Sequence, residues 1–232
     1  RTLAFDPTGM VVTGTFPDGT TATIDNSKLT FSAVPASEGT HAVTISRGNA
    51  KTTVNVKVSP STPTLVTPSP TTLGATDNST AFWGAHLDND VKVPEGETRQ
   101  FSFTNYTSGA NNFNNWVVVL RNAATEEYAV VRSDNYGWGK GYTALLSGGQ
   151  ADWATWLAAM NGAKVNVFVT NVGNGTADVQ AVMRGIDGKT YTQYYLGIST
   201  VDPSNLYVDF TVDGCHLVFS NTALAKRHAH RR

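Results

Sequence analysis

The sequence is short of several things at once. It has one cysteine, Cys215, in 232 residues, so no internal disulfide can form, and no Cys/His cluster has the spacing of a zinc site. Charged residues make up 15% of the chain, against roughly 25% in an average soluble domain. There is no basic excess: the formal net charge is −1, which argues against a nucleic-acid partner. Long apolar runs are missing too. The longest, such as residues 116–120, fall far short of the roughly 20 residues that span a bilayer as a helix. No G-x-S-x-G nucleophile elbow occurs. What remains is a polar, weakly charged chain rich in Thr, Asn and Gly, a composition that predicts an all-β and extracellular protein.

Aromatics are nearly absent from one part. Of 23 Phe, Trp and Tyr residues, three (Phe5, Phe16 and Phe31) precede residue 59, and the other twenty follow residue 73. Between the two lies SPSTPTLVTPSPTT, with four of the nine prolines and no charge. That composition favours extended polyproline geometry and predicts a semi-rigid spacer over 59–73; alternatively, Leu65 and Val66 anchor it as an edge segment. Charge divides at the same place. Residues 74–222 carry fourteen acidic and eight basic groups, whereas 1–58 carry four and five. The basic ending KRHAHRR masks the acidity of the second part, has no apolar period and is expected to be disordered over 223–232.

Residues 1–58 read as a small β domain. Val54, Val56 and Val58 alternate with polar neighbours, the period of a half-buried strand. Pro17-Asp18-Gly19 and Arg47-Gly48-Asn49 read as hairpin turns, because proline presets φ and glycine accepts φ > 0. The stretch TGMVVTGTFPDGTTATI resembles bacterial immunoglobulin-like repeats. That resemblance implies a small Ig-like sandwich acting as a spacer; the expected first strand is not found in the sequence given, which predicts a fragment of a longer protein.

Residues 74–222 read as many short strands separated by Gly, Asn and Asp turns: 99–106, 116–122, 127–133, 164–171, 177–185, 191–198, 205–212 and 215–220. This pattern predicts a larger antiparallel β-sandwich or jelly roll. One segment breaks it. In ADWATWLAAMNG, Trp153, Trp156, Leu157 and Met160 recur at i, i+3, i+4 and i+7, with Asp152 to cap and Gly162 to stop a single short helix. Both tryptophans are therefore assigned mainly to the core, as is Trp116. Cys215, Leu217 and Phe219 alternate as a buried strand face, which points His216 away from the thiol.

Candidate ligand-binding residues follow from aromatics that the core does not claim. The loop SDNYGWGKGY has three glycines in ten residues and displays Tyr136, Trp138 and Tyr142 beside Arg132, Asp134 and Asn135. Exposing large rings costs free energy; a sugar ring can stack on them while Asn, Asp or Arg bind its hydroxyls. Trp138 folding back over an open end of the core is the competing reading. Trp83 neighbours Phe82, and on a strand the two would face opposite ways, leaving one outward. Among the asparagines of 105–115, most of them turn formers, Asn115 at a strand start is best placed to reach a ligand. His86 is a further possible contact. Asp88, Asn89 and Asp90 are close enough for a structural calcium site with backbone carbonyls but lack EF-hand spacing, which favours a plain turn.

Four segments, TTLGATDNSTAFWGAHLDND, FTNYTSGANNFNNWVVVLRN, EYAVVRSDNYGWGKGY and DWATWLAAMNGAKVNV, together resemble a β-sandwich module of secreted and surface polysaccharide-degrading proteins of gut Bacteroidetes-type bacteria. The likeness covers most of 71–222. It implies a non-catalytic carbohydrate-binding module within a larger secreted or surface protein. Where the family tends to have tryptophan, this chain has Phe113, which can stack but lacks an indole N–H.

A glycosidase needs two carboxyls across a cleft. Glu95 and Glu97 sit in a turn, Glu126 and Glu127 in a hairpin, and Asp178 and Asp209 read as isolated on strands, so no catalytic residue is assigned. The leading expectation is a monomeric module binding a neutral polysaccharide of the β-glucan, xylan or mannan class, since an acidic domain repels a polyanion. The alternatives are a structural or adhesion module of a bacterial surface or phage particle, and a glycoside hydrolase domain.

Overall fold

The computed structural model describes the chain except residues 1, 6, 8, 36–38, 59–61, 108–114, 136, 140, 142, 148–152, 174, 201, 203 and 223–232. For residues 3, 39, 57, 88, 89, 115, 143 and 145–147 it describes the backbone alone. The chain forms two compact units, Arg1–Pro60 and Ser61–Arg232. Among the described residues the fold is all-β with one α-helix.

The first unit holds β1 (Thr2–Leu3), β2 (Val12–Thr15), β3 (Thr21–Ile24), a 3-10 turn (Asn26–Lys28), β4 (Thr30–Phe31), β5 (Val34–Pro35), β6 (Gly39–Arg47) and β7 (Ala50–Val58). β2 and β3 form one hairpin, β4, β6 and β7 a three-stranded sheet, and β1 pairs with β5. Both predicted turns are present. Asp18 Oδ1 accepts from the Thr20 amide at 3.0 Å and Gly19 takes φ +84°. Gly48, at φ +58°, closes the hairpin between Arg47 and Ala50. Among its described residues Val34, Val43 and Ile45 are the buried apolar ones, a small core for a unit with so few aromatics.

The second unit begins where a spacer was expected. β8 (Thr64–Val66) and β9 (Thr72–Leu73) both enter a large sheet: β8 runs parallel to the strand Thr98–Thr107, and β9 pairs with the strand Cys215–Phe219. Pro63, Pro68 and Pro70 flank these strands rather than interrupt them, and both lie at free edges where a missing amide costs little. Leu73 is a core residue. The remaining elements are β10 (His86–Lys92), β11 (Thr98–Thr107), β12 (Asn115–Arg121), β13 (Glu127–Arg132), β14 (Trp138–Gly139), β15 (Thr143–Ser147), α1 (Trp153–Met160), β16 (Ala163–Gly173), β17 (Thr176–Arg184), β18 (Thr190–Ser199), β19 (Tyr207–Asp213) and β20 (Cys215–Phe219).

These form two sheets. One has the order β10-β19-β12-β13-β14; the other has β15-β18-β17-β16-β11-β20-β9, with β8 beside β11. Their inner faces meet through aromatic rings. Phe210 of β19 lies 4.9 Å from Phe101 and 5.9 Å from Phe103 of β11, and 5.4 Å from Phe219 of β20. Trp116 of β12 packs on Phe103 at 6.1 Å. These edge-on and tilted contacts are the favoured geometry for quadrupolar rings. α1 adds Trp156, Leu157, Ala159 and Met160 to the same core, and Trp153 stacks on Trp156 at 4.9 Å. The Asn105 side-chain amide holds the helix C-terminal end through the Met160 carbonyl at 3.1 Å. Gly162, at φ +97°, donates to the Asn105 carbonyl at 2.7 Å, stopping the helix as predicted.

Cys215, Leu217 and Phe219 face the core. Burial pushes the Cys215 thiol up to about 12, so it stays protonated and inert. His216 points the other way, stacks on Tyr106 at 4.8 Å and pairs with Asn78 Oδ1 at 2.8 Å through Nδ1.

Candidate functional site

The five-stranded sheet carries apolar residues on both faces. On β12, Trp116, Val118 and Leu120 face the main core, while Val117 and Val119 form a separate cluster with Val130 of β13. Alternation therefore puts Val117, Val119 and Arg121 on the outer face, with Val130 and Arg132 of β13 and Asp209, Thr211 and Asp213 of β19. The ladder aligns them. Val117 lies opposite Thr211 and Arg132, and Val119 opposite Asp209 and Val130. His86 pairs with Thr211 at one edge, and Trp138 with Val130 at the other. Three buried valines on an outer face need a cover, and Phe82 packs on them.

Phe82 and Trp83 do not lie on a strand, as their neighbours had suggested. They occupy a turn in which the Gly84 amide donates to the Ala81 carbonyl at 2.7 Å. Trp83 takes φ +63°, a left-handed conformation that costs a bulky residue about 1–2 kcal/mol. Two bonds to β19 and its following residue fix the turn. The Phe82 amide donates to Asp213 Oδ1 at 3.0 Å, and the Gly214 amide donates to the Thr80 carbonyl at 2.8 Å. The consequence is a cluster of rings. Phe82 touches Trp83 at 5.0 Å and Trp138 at 6.5 Å, and Trp83 lies 5.6 Å from the His86 ring. Trp83 remains 37% exposed and Trp138 45%.

Trp138 was expected on an open loop. It instead opens a two-residue strand, and Gly137 explains how the chain approaches so closely. A Cβ on Gly137 would sit 1.9 Å from the Val130 carbonyl oxygen and 3.2 Å from the Arg132 nitrogen. The turn before it is tied to the other sheet. Tyr195 Oη donates to Asn135 Oδ1 at 2.9 Å, and Gln193 Nε2 donates to the Ser133 carbonyl at 2.6 Å.

Arg132 and Asp134, both predicted as hydroxyl partners, join the cluster as a bidentate pair at 3.0 and 2.5 Å. Asp134 is buried, so it acts as the anchor of the guanidinium. Arg132 Cζ lies 5.4 Å from the Phe82 ring centre, a cation–π contact that orients both. Asp213 titrates above the ordinary carboxylate range because burial disfavours its charge; the Asp134 charge adds to this, while the Phe82 amide and Arg132 oppose it.

Asp209 was read as isolated, and it is not. It is fully buried and paired in two contacts with Arg121, whose Nη2 also reaches Asp90 Oδ1 at 2.9 Å. His86 Nε2 stands 3.9 Å from Asp209, and the Arg121 guanidinium covers the Tyr207 ring at 5.2 Å. Asp88, Asn89 and Asp90, expected as a turn or calcium loop, lie within β10 at an irregularity between Leu87 and Val91. Asp90 there takes φ +47°. Among the described residues no group of three or more His, Cys, Asp or Glu side chains could hold a metal ion. Asp178 accepts from the Gly197 amide at 2.8 Å, where the β17–β18 ladder shifts register.

Of the predicted ligand contacts, the fold therefore gathers Trp83, Trp138, Arg132, Asp134 and His86 on one face. Asn115 starts β12 opposite Asp213, with only its backbone described. Tyr136 and Tyr142 lie outside the described residues. Phe82 and Asp213 are the components that the sequence reading missed. Neither has a local signal, since the bond that joins them spans 131 residues. Among the described residues no helix is long and apolar enough to cross a membrane. Comparison with family models, curated proteins and solved structures finds no match to this chain.

Proposed function

We propose that the second unit binds a neutral polysaccharide without cleaving it, through the outer face of its five-stranded sheet. The observation that carries this reading is the pair of exposed indoles, Trp83 and Trp138, wedged apart by Phe82. Exposing two tryptophans is costly, and Trp83 in addition sits in a left-handed conformation of the kind that clusters at ligand sites. Their faces supply stacking surface for the C–H face of a sugar. Arg132 and His86 stand beside them as hydroxyl partners.

The acidic balance of residues 74–222 favours a neutral chain of the β-glucan, xylan or mannan class over a polyanion. A hydrolytic reading needs a pair of carboxyls across a cleft; Asp134 and Asp209 are instead closed by bidentate arginines, which leaves Asp213, bonded to the Phe82 amide, without a second carboxyl among those described on this face. On this reading the protein serves as a secreted or surface component that holds glycan. Calorimetry of the full chain against soluble β-glucan, xylan and mannan tests it. Saturable binding, lost in Trp138→Ala with an unchanged circular-dichroism spectrum, is the expected result. No binding to any of the three sinks the proposal in favour of a structural or adhesion module, and release of reducing sugar replaces it with catalysis.

A further inference from the structure

We infer that the site takes a single glycan chain across two separate stacking subsites inclined to each other, and does not take the flat face of a crystalline polysaccharide. The inference rests on the glycan-binding reading above and adds the physical form of the ligand. Its basis is the orientation of three rings. The Trp83 ring is tilted 56° to Phe82, and the Trp138 ring stands at 80° to the same Phe82. Two planes at different angles to a common plane are inclined to each other by at least the difference of those angles. The indoles therefore cannot be coplanar, and a rigid flat surface can lie on one of them but not on both.

Their separation suits one flexible chain. Both rings touch Phe82, at 5.0 and 6.5 Å between centres, so the indoles are no further apart than those distances laid end to end, a span of a few sugar rings. Polar groups stand beside the first indole and over the shared wedge. His86 lies against Trp83 at 5.6 Å, and the Arg132 guanidinium lies over the Phe82 wedge at 5.4 Å.

The wedge and the backbone that carry the two indoles are fixed. Phe82 is seated on Val117, Val119 and Val130 and held by its amide bond to Asp213. Trp138 is held by its pairing with Val130, at a position where Gly137 admits no side chain. A chain that twists from one sugar to the next meets both faces at once, and the two contacts act as linked modules whose effects multiply.

The test uses the full chain with three pairs of probes: glucose and cellotetraose, xylose and xylotetraose, mannose and mannotetraose. Microcrystalline cellulose serves as the flat surface. The expected result is that one tetrasaccharide binds at least about tenfold tighter than its monosaccharide, the gain of one added stacking contact. Trp83→Ala and Trp138→Ala should each erase that gain, with Trp83→Phe and Trp138→Phe retaining part of it. The cellulose should not deplete the protein from solution.

Equal affinity for monosaccharide and tetrasaccharide overturns the two-subsite inference while leaving glycan binding intact. So does a gain that survives either alanine variant in folded protein. Retention on microcrystalline cellulose that either alanine variant abolishes contradicts the inclined geometry. Absence of binding to every probe overturns both this inference and the function it rests on.

Discussion

Gly137→Ala is the smallest change that should remove the site and spare the fold. The added methyl would lie 1.9 Å from the Val130 carbonyl oxygen and 3.0 Å from its carbon. An unstrained contact needs about 3.5 Å, so the chain at Gly137 must retreat by about 1.5 Å. The obstructing atoms are backbone, and no rotamer change can relieve the clash. Among the described residues β14 pairs with β13 through Ala129–Gly139 and Val130–Trp138 alone, so a retreat of that size breaks the pairing. About two hydrogen bonds at about 1 kcal/mol each are lost, and the edge-on contact between Trp138 and Phe82 adds about 0.5–1.5 kcal/mol. The total is about 2.5–3.5 kcal/mol, which should lower Tm by about 5–14 °C in a unit of this size. Because β14 is an edge strand outside the main core, the transition should stay cooperative. Glycan affinity should fall about tenfold or more with the loss of one stacking ring. Thermal unfolding followed by circular dichroism, with calorimetric titration of the folded variant, reads both effects. A variant that melts and binds as the parent does refutes the close approach of β14 and the role given to Trp138.

Other substitutions probe the rest of the account. Phe210→Ala removes a ring packed on Phe101, Phe103 and Phe219 and should cost about 3–5 kcal/mol, measured as a shift in denaturant midpoint; a loss under 1 kcal/mol contradicts the inter-sheet core. Burial lowers the His216 pKa below its ordinary 6.5. Its neutral form is thus favoured in the fold, and its stabilisation is complete above about pH 6.5 and fades as pH falls through the lowered value. His216→Gln should therefore lose less Tm between pH 7.5 and 5 than the parent; an equal or larger loss refutes this. Cys215 should not react with a disulfide reagent at pH 8 in native protein and should react fully in denaturant, and rapid native labelling would show that its strand opens.

Much of the second unit was legible because its strands alternate cleanly. The run 164–171 gave β16, 177–185 gave β17 and 191–198 gave β18, each within a residue or two of the observed bounds. The helix stood out because its apolar spacing changed from two to three or four. Short or glycine-containing strands were less visible. β14 has two residues, and β8 and β9 hide among prolines whose flanking positions do not disturb pairing. The site was half legible. Trp138, Trp83, Arg132 and Asp134 could be named because exposed rings and hydroxyl-binding groups stand out in Gly-rich segments. The reason they meet could not, since Phe82 reaches Asp213 and Arg121 reaches Asp209 across 131 and 88 residues. Such pairings follow from sheet order, which local pattern does not encode.

The central claim, that a glycan stacks on Trp83 and Trp138, can be read directly from the five indole N–H resonances of nitrogen-15-labelled protein. Titration with cellotetraose, xylotetraose and mannotetraose should shift the Trp83 and Trp138 signals, assigned by substitution. The buried Trp116 and Trp156 signals should stay in place. If no indole moves with any of the three, or if a sugar binds and moves only indoles other than Trp83 and Trp138, the account is contradicted.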